Sequence, residues 1–155
     1  MAKTPKKRSS KFCYKYPRPA VTVDIVLLHR FQRGLQVLLI KRGKEPFKGL
    51  WAFPGGFVDE NEALEDAAAR ELQEETGLGD MKLEQIGAFG DPGRDPRGHT
   101  VSVVFAAVLN EPRDARAADD ASDAQWHSAR RPPKLAFDHG KILKIALKGL
   151  SRNDE

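Results

Sequence analysis

Cysteine and long apolar runs are scarce in this sequence. Its single cysteine, Cys13, forms no intramolecular disulfide and does not suffice for a thiolate zinc cluster. No apolar run approaches the ~18–20 residues that span a bilayer, because Asp24 interrupts the longest one. The basic amino terminus leads into polar residues rather than an apolar stretch, which argues against a secretory signal. These absences predict a cytoplasmic protein with no membrane segment.

Acidic residues are missing from the first 18 positions, which hold seven lysines and arginines. The net charge of +4 belongs to this segment, because the other 137 residues carry 19 bases against 22 acids. Two interpretations of the segment remain open: an arm that binds nucleic acid and a solvated terminus. We expect a basic, flexible tail over residues 1–18 and a single domain over residues 19–155, since domains average ~150 residues.

The pattern of apolar residues predicts several short strands and two helices. Strands are expected over residues 20–30, 35–41, 51–53, 82–89, 100–109 and about 124–127, with a turn at Arg33-Gly34. Residues 62–76 lack glycine and proline and predict a helix with Asn61 as its N-cap and Gly77 as its C-cap. A second helix is expected over about 138–150, with Asp138 as a cap. This mixed order predicts an α/β fold, a mixed sheet covered by helices.

The first predicted helix carries acids on the side that faces the protein. On a helical wheel of ~3.6 residues per turn, its apolar stripe consists of Leu64, Ala67, Ala68 and Leu72. Glu71 and Glu75 fall inside that stripe, and Glu74 lies at its edge. Carboxylates on an inward face repel one another and cost several kcal/mol to desolvate unless a cation neutralises them. Their oxygen ligands select Mg²⁺ or Mn²⁺; the alternative is an ordinary solvated acidic face.

The spacing of this segment follows G-x5-E-x7-R-E-L-x-E-E-x-G-L at every fixed position. Those positions are Gly56, Glu62, Arg70, Glu71, Leu72, Glu74, Glu75, Gly77 and Leu78. The pattern resembles the signature box of the Nudix hydrolases, which cleave nucleoside diphosphates linked to a further group. The resemblance implies an α/β/α sandwich around a mixed sheet, and it disfavours the solvated-face alternative.

The resemblance also implies roles for the box residues. Glu71, Glu74 and Glu75 would be the catalytic metal ligands, joined by the backbone carbonyl of Gly55, with two or three Mg²⁺ ions (or Mn²⁺) when substrate is bound. Glu62 and Arg70 would form a supporting ion pair, and Gly56 would support the box structurally. A homodimer is a further expectation that rests on the resemblance alone.

A catalytic base is expected outside the box, because many Nudix hydrolases take a carboxylate from another loop to deprotonate water. The polar loop before the last strand offers Asp119, Asp120 and Asp123, of which Asp120 is the first candidate. A solvated acidic loop is the alternative for each of them.

Substrate contacts are expected in segments that resemble the ADP-ribose pyrophosphatase branch, at residues 16–19, 90–99 and 135–139. The predicted substrate-binding residues are Arg42, Phe53, Arg94, Arg97 and His99, with the arginines facing phosphate or ribose and the aromatic ring facing a base. The alternatives are that residues 94–98 only shape a turn, that His99 binds loop backbone, and that Phe53 and Trp51 pack in the core.

Three functions follow as hypotheses. The first is a Mg²⁺-dependent hydrolysis of ADP-ribose to AMP and ribose 5-phosphate. The second keeps the enzyme but takes an ordinary or oxidised nucleoside triphosphate, and the third is a sensor that binds ADP-ribose without turnover. Related regulators carry an additional DNA-binding domain, for which a chain of this length leaves no room, so we expect a small nucleotide as the partner rather than DNA.

Overall fold

The computed structural model of the protein describes residues 12–118 and 120–153. It contains seven strands and two helices within that part of the chain. They are β1 (Ala20–Phe31), β2 (Gly34–Arg42), β3 (Trp51–Ala52), β4 (Gly55–Phe57), α1 (Leu64–Thr76), β5 (Glu84–Phe89), β6 (Thr100–Leu109), β7 (Ala121–Ser128) and α2 (His139–Asn153). The predicted strand over residues 100–109 is confirmed at both ends.

All seven strands belong to one mixed sheet. The path runs β3-β2-β1-β6-β5, while β4 pairs with β1 and β7 pairs with β2. β1 and β6 are parallel from Ala20 opposite Thr100 to His29 opposite Leu109, and the other pairings are antiparallel. The central strand β1 reads as a continuous apolar run because both of its faces are covered.

Two hydrophobic layers lie on opposite faces of the sheet. Alternate residues of β1 point to opposite sides, so Val23, Ile25 and Leu27 pack with α1. Val26 and Leu28 pack instead with residues of α2 such as Ile142 and Leu143. The predicted α/β class and the sandwich of helices around a mixed sheet are therefore confirmed.

Two local predictions were wrong. The first helix begins at Leu64 after Ala63, not after Asn61, and no side chain caps it. Asn61 has a φ of 59° and belongs to a turn in which the Asp59 N–H donates to the Glu62 carboxylate at 2.8 Å. The hairpin turn is Gln32-Arg33, with Gly34 already paired to Phe31. The predicted C-cap is confirmed: Gly77 has a φ of 72° and its N–H donates to the Gln73 carbonyl.

The segment before β1 is only partly described. Residues 1–11 of the predicted tail lie outside the described residues, and residues 12–19 are exposed and carry no helix or strand. Within them the Arg18 guanidinium lies 4.2 Å from the centre of the Tyr14 ring. No helix within residues 12–118 and 120–153 combines the length and the apolar character needed to cross a membrane.

Candidate active site

A cavity of about 620 Å³ opens between the carboxyl half of α1, strand β4, the loop of residues 90–99 and the start of α2. Carboxylates line one side of it, and arginine and phenylalanine side chains line the other. The lining residues that matter below are Asp24, Arg42, Lys44, Phe53, Gly55, Gly56, Phe57, Glu71, Glu74, Glu75, Arg94, Asp95, Arg97, Asp120, Phe137 and His139.

Glu75 is the most perturbed carboxylate of the acidic side. Burial raises its pKa to about 8, and the nearby charges of Glu71 and Asp24 act in the same direction. The Gly55 N–H donates to its Oε2 at 2.9 Å, which partly offsets this rise. A carboxylate held in this way is expensive to ionise until a cation arrives.

Glu71 lies against the glycine that opens the box. A Cβ atom on Gly56 would fall 2.4 Å from a carboxylate oxygen of Glu71, so this position accepts no side chain without displacing that carboxylate. Burial raises the pKa of Glu71, although the Arg70 hydrogen bond at 2.9 Å acts against that rise.

Arg70 joins three glutamates of the box. Its Nε and Nη2 donate to both oxygens of Glu62, at 2.7 and 2.9 Å, and its Nη1 donates to Glu71 and, at 3.2 Å, to Glu74. The Glu62 hydrogen bonds are the main cause that raises the pKa of Arg70. The same bonds lower the pKa of Glu62 to about 2. The structure thus brings together the Glu62–Arg70 pair that the box pattern implies.

Glu74 differs from the other two predicted metal ligands because 44% of its side chain is exposed, against 12% for Glu71. It stands at the rim of the cavity, as its place at the edge of the apolar stripe suggested. In the described part of the chain, the carboxylates are not gathered into a preformed cluster of three metal-binding groups, because Arg70 holds Glu71 and Glu74. The metal roles of Glu71, Glu74, Glu75 and the Gly55 carbonyl stay predictions.

Asp24 is a site residue that sequence reasoning missed. It is 8% exposed in the middle of β1, beside Gly55 in the pairing of β1 with β4. The Ser102 hydroxyl donates to its Oδ2, and His139 Nε2 lies 3.5 Å from its Oδ1. Burial acts to raise the pKa of Asp24, but His139 and Ser102 outweigh burial and lower it. The available signal was the charged residue within an otherwise apolar strand.

His139 connects Asp24 to the segment before the two glycines. Its Nδ1 accepts the Phe53 N–H at 3.1 Å, so its Nε2 carries the proton that faces Asp24. The imidazole also stacks on the Phe53 ring, with centroids 4.6 Å apart. The orienting contact expected at the start of the last helix is therefore present, and it acts on the Phe53–Gly56 segment.

Two arginines of the loop over residues 90–99 are paired with carboxylates. Arg94 donates to both oxygens of Asp138, at 3.0 and 2.7 Å, and only 4% of its side chain is exposed. Asp138 thus binds Arg94 with the carboxylate that was expected to cap α2. Arg97 is paired with Asp95, at 3.0 and 2.8 Å. Both arginines line the cavity, and their substrate contacts stay predictions.

Arg42 lies on the same side of the cavity as these pairs. Its Nε donates to the Pro46 carbonyl at 2.7 Å, and its guanidinium lies 5.0 Å from the centre of the Phe137 ring. Burial lowers the pKa of Arg42, and the charge of Arg97 adds to this. An anionic group entering the cavity would relieve that repulsion.

Two predicted substrate contacts take the alternative position. His99 is exposed and absent from the cavity lining, and its Nε2 bonds the Gly90 carbonyl at 3.1 Å. It holds the two ends of the loop together, so the prediction of a substrate contact there was wrong. Phe53 borders the cavity, but it is 2% exposed and packed in the core. A stacking role for Phe53 is left with little accessible ring.

The candidate base Asp120 lines the cavity and is exposed, and it forms an ion pair with Lys44. Asp123 points elsewhere, with its carboxylate bound to the Ala124 N–H and the Gln125 side chain. Asp119 lies outside the described residues. Asp120 therefore remains the candidate that the described geometry supports.

Comparison with known proteins agrees with this site. Residues 18–144 match the family model described as the NUDIX domain. The chain is 44% identical over 140 residues to the ADP-ribose pyrophosphatase of Methanocaldococcus jannaschii, covering 90% of this chain and 79% of that protein. It is 38% identical to the ADPR responsive transcriptional repressor NtrR of Acinetobacter baylyi, covering 88% of this chain and 56% of the repressor.

Solved structures show the same fold. The NUDIX domain of Shewanella oneidensis NrtR, crystallised with ADP ribose, superimposes with a TM-score of 0.79 at 34% identity and covers 87% of this chain and 90% of that one. A MutT/nudix family protein from Enterococcus faecalis gives a TM-score of 0.76 at 36% identity, with 86% and 62% covered. Sequence, fold and the carboxylate helix agree, and the chain belongs to the Nudix hydrolase family.

Proposed function

We propose that the protein hydrolyses ADP-ribose to AMP and ribose 5-phosphate with a divalent metal ion, Mg²⁺ or Mn²⁺. Water adds across the phosphoric anhydride, so one phosphate takes the hydroxyl group and the other leaves with the bridging oxygen. The observation that carries the proposal is the inward pair Glu71 and Glu75, whose burial leaves negative charge that one arginine does not neutralise. The similarity to the archaeal ADP-ribose pyrophosphatase supports this substrate.

The residues present fit a divalent cation. Glu71, Glu74 and Glu75 offer oxygen donors, which Mg²⁺ and Mn²⁺ prefer, and the carbonyl of Gly55 lies on the adjacent strand. The chemistry that a bound ion supplies is a lowered pKa for a water molecule and a screened phosphate charge. For Glu71 and Glu74 to serve as ligands, Arg70 must yield at least one oxygen of each.

The opposite side of the cavity would hold the substrate's anionic groups. Arg42 and Arg97 present guanidinium groups to the cavity, and guanidinium groups bind phosphate oxygens in a bidentate manner. Arg94 is enclosed by Asp138, so we assign it to holding the loop in place. Asp120, beside the cavity, would accept a proton from the attacking water.

The direct test compares Glu75→Gln with Glu65→Gln, a matched change at an exposed position in the first turn of the same helix. We expect wild-type protein to produce AMP and ribose 5-phosphate only when Mg²⁺ or Mn²⁺ is present. Glu75→Gln should lower kcat/KM by on the order of a thousandfold, and Glu65→Gln should leave it within about twofold. Equal rates for the two variants, or full activity in EDTA, would contradict the proposal.

A substrate panel separates the two alternatives. A nucleoside triphosphate turned over ten times faster than ADP-ribose would identify a triphosphate pyrophosphatase. Binding of ADP-ribose without turnover in saturating Mg²⁺ would identify a sensor, the role suggested by similarity to the repressor from Acinetobacter baylyi. The same panel applied to Asp120→Asn and Asp123→Asn tests the base, since only the former should lose a factor of about 10²–10⁴ in kcat.

A further inference from the structure

We propose that Phe57 is the platform on which the substrate's purine base stacks, an inference that rests on the proposed hydrolysis of a nucleoside diphosphate derivative. Among the described residues, nine large hydrophobic side chains are exposed, and of these only Phe57 lines the active-site cavity. Its side chain belongs to β4, directly after the two glycines of the box.

The exposure of this ring is the first observation. Phe57 is 43% exposed, although full burial of a phenylalanine stabilises a protein by about 1.5–3 kcal/mol. Scattered exposed apolar residues are common on flat surfaces. An exposed ring inside a polar, arginine-lined cavity is different, because a flat apolar ligand that covers it gains the free energy that folding has left unused.

The ring is also held in place before any ligand arrives. Its backbone pairs with Thr22 of β1, and its carbonyl accepts a hydrogen bond from Arg70 Nη2 at 3.1 Å. The guanidinium of Arg97 lies 4.7 Å from the ring centre and is itself fixed by Asp95. A rigid aromatic surface binds with little loss of side-chain entropy.

The position of the ring matches the length of a nucleotide. Successive residues of a strand point to opposite faces, so Gly56 faces Glu71, while Phe57 lies on the side of its pairing partner Thr22. Only the glycine backbone separates the carboxylates from the ring. In a nucleoside diphosphate one ribose separates the base from the anhydride, so the base reaches Phe57 when the diphosphate lies beside the carboxylates.

Other aromatic rings of the cavity are occupied. Phe53 is 2% exposed and stacks on His139. Phe137 has Arg42 and Arg97 within 5.0 and 5.6 Å of its centre, and Phe47 contacts it edge-on with centroids 4.9 Å apart. Phe57, with Arg97 on one side, keeps a surface for a ligand. Because stacking depends on the π-face rather than on hydrogen bonds, the platform accepts adenine and guanine alike.

The test uses Phe57→Ala, Phe57→Leu and Phe57→Trp in the full chain, with Phe31→Ala as the control. Phe31 is 48% exposed at the tip of the β1–β2 hairpin and outside the cavity lining. Base stacking contributes about 1–3 kcal/mol by alanine substitution, so KM for ADP-ribose should rise at least fivefold in the alanine and leucine variants, with kcat changed less than threefold. Tryptophan should restore or lower KM, and Phe31→Ala should leave both constants unchanged.

The leucine variant decides between stacking and packing. Leucine keeps an apolar side chain but has no π-face, so a wild-type KM in Phe57→Leu would overturn the proposal, as would a wild-type KM in Phe57→Ala. Calorimetric binding of AMP in EDTA separates the two claims. Loss of AMP binding in Phe57→Ala supports the platform even if wild-type protein fails to hydrolyse ADP-ribose, whereas unchanged AMP binding in that variant overturns it.

Discussion

The two sides of the cavity balance their charges in opposite ways. On the arginine side, each of the two loop arginines has its own carboxylate, Arg94 with Asp138 and Arg97 with Asp95. On the carboxylate side, Arg70 is shared among three glutamates, and Glu75 has only a backbone N–H. The neutral pairs make one side a rigid surface, while the other side keeps an unmet demand for positive charge. The enzyme is thus shaped to receive a cation on one side and a nucleotide on the other.

Breaking the buried pair of the arginine side should have the largest effect. Asp138→Ala leaves the guanidinium of Arg94 without its carboxylate, and loss of one partner of a buried pair costs about 3–5 kcal/mol. Urea unfolding at pH 7 measures this change. The matched control is Asp91→Ala, which removes the nearby exposed Asp91–Lys141 pair and should cost less than about 1 kcal/mol. Equal losses in the two variants would mean that the Arg94 pair does not hold the loop.

Gly56→Ala should sharpen the view of the carboxylate side. The added Cβ would collide with the Glu71 carboxylate, which must then move away from its place beside β4. We expect kcat/KM to fall about a hundredfold, because small displacements of catalytic groups have effects of that size. Gly79→Ala, which meets only the flexible end of Gln73, serves as the comparison. Full activity in Gly56→Ala would show that the position of Glu71 is not critical.

Glu75→Gln should stabilise the metal-free protein while it removes activity. The folded pKa of Glu75, about 8, lies above its unfolded value, so the folded state binds more protons between roughly pH 4.5 and 8. Stability in EDTA should therefore fall as pH rises through this window. The variant should lack this fall and be more stable by about 1–3 kcal/mol at pH 9. A variant less stable than wild type at pH 9 would contradict the assigned cause.

The smallest effect is expected from Glu62. Its pKa is lowered to about 2, so its contribution to stability is present above pH 4.5 and is lost as pH falls through 2. Glu62→Gln should weaken the protein slightly at pH 7 and flatten the acid side of its stability curve. Thermal unfolding between pH 7 and 2 checks this, with Glu60→Gln at an exposed position as the control. Parallel curves for wild type and Glu62→Gln would exclude the Arg70 pair as the cause.

The carboxylate helix could be predicted because its information is local. One turn of helix separates Glu71 from Glu75, and Arg70 reaches Glu74 within the same helix, so spacing alone predicted their grouping. The sheet followed from alternation in segments such as Thr100–Leu109. The N-cap could not be predicted, because Glu62 is held by Arg70 rather than by the helix start, and that ion pair competes with the capping geometry at Asn61.

The rest of the site depends on contacts between distant positions. Asp24 meets Ser102 and His139 only after β1, β6 and α2 have assembled, and no short pattern announces such a meeting. The same holds for Phe57 and Arg97, which lie on different loops of the chain. Phe53 was chosen for stacking from its residue type, but its environment in the core decides against an open ring.

The shared arginine has a consequence for how the enzyme is made. Arg70 occupies the glutamates that a divalent ion would bind, and it does so from the same helix as Glu71 and Glu74. The newly synthesised chain therefore carries a resident counter-ion and needs no metal to complete its tertiary structure. Metal supply would then control how much of the enzyme is active without controlling how much of it is folded.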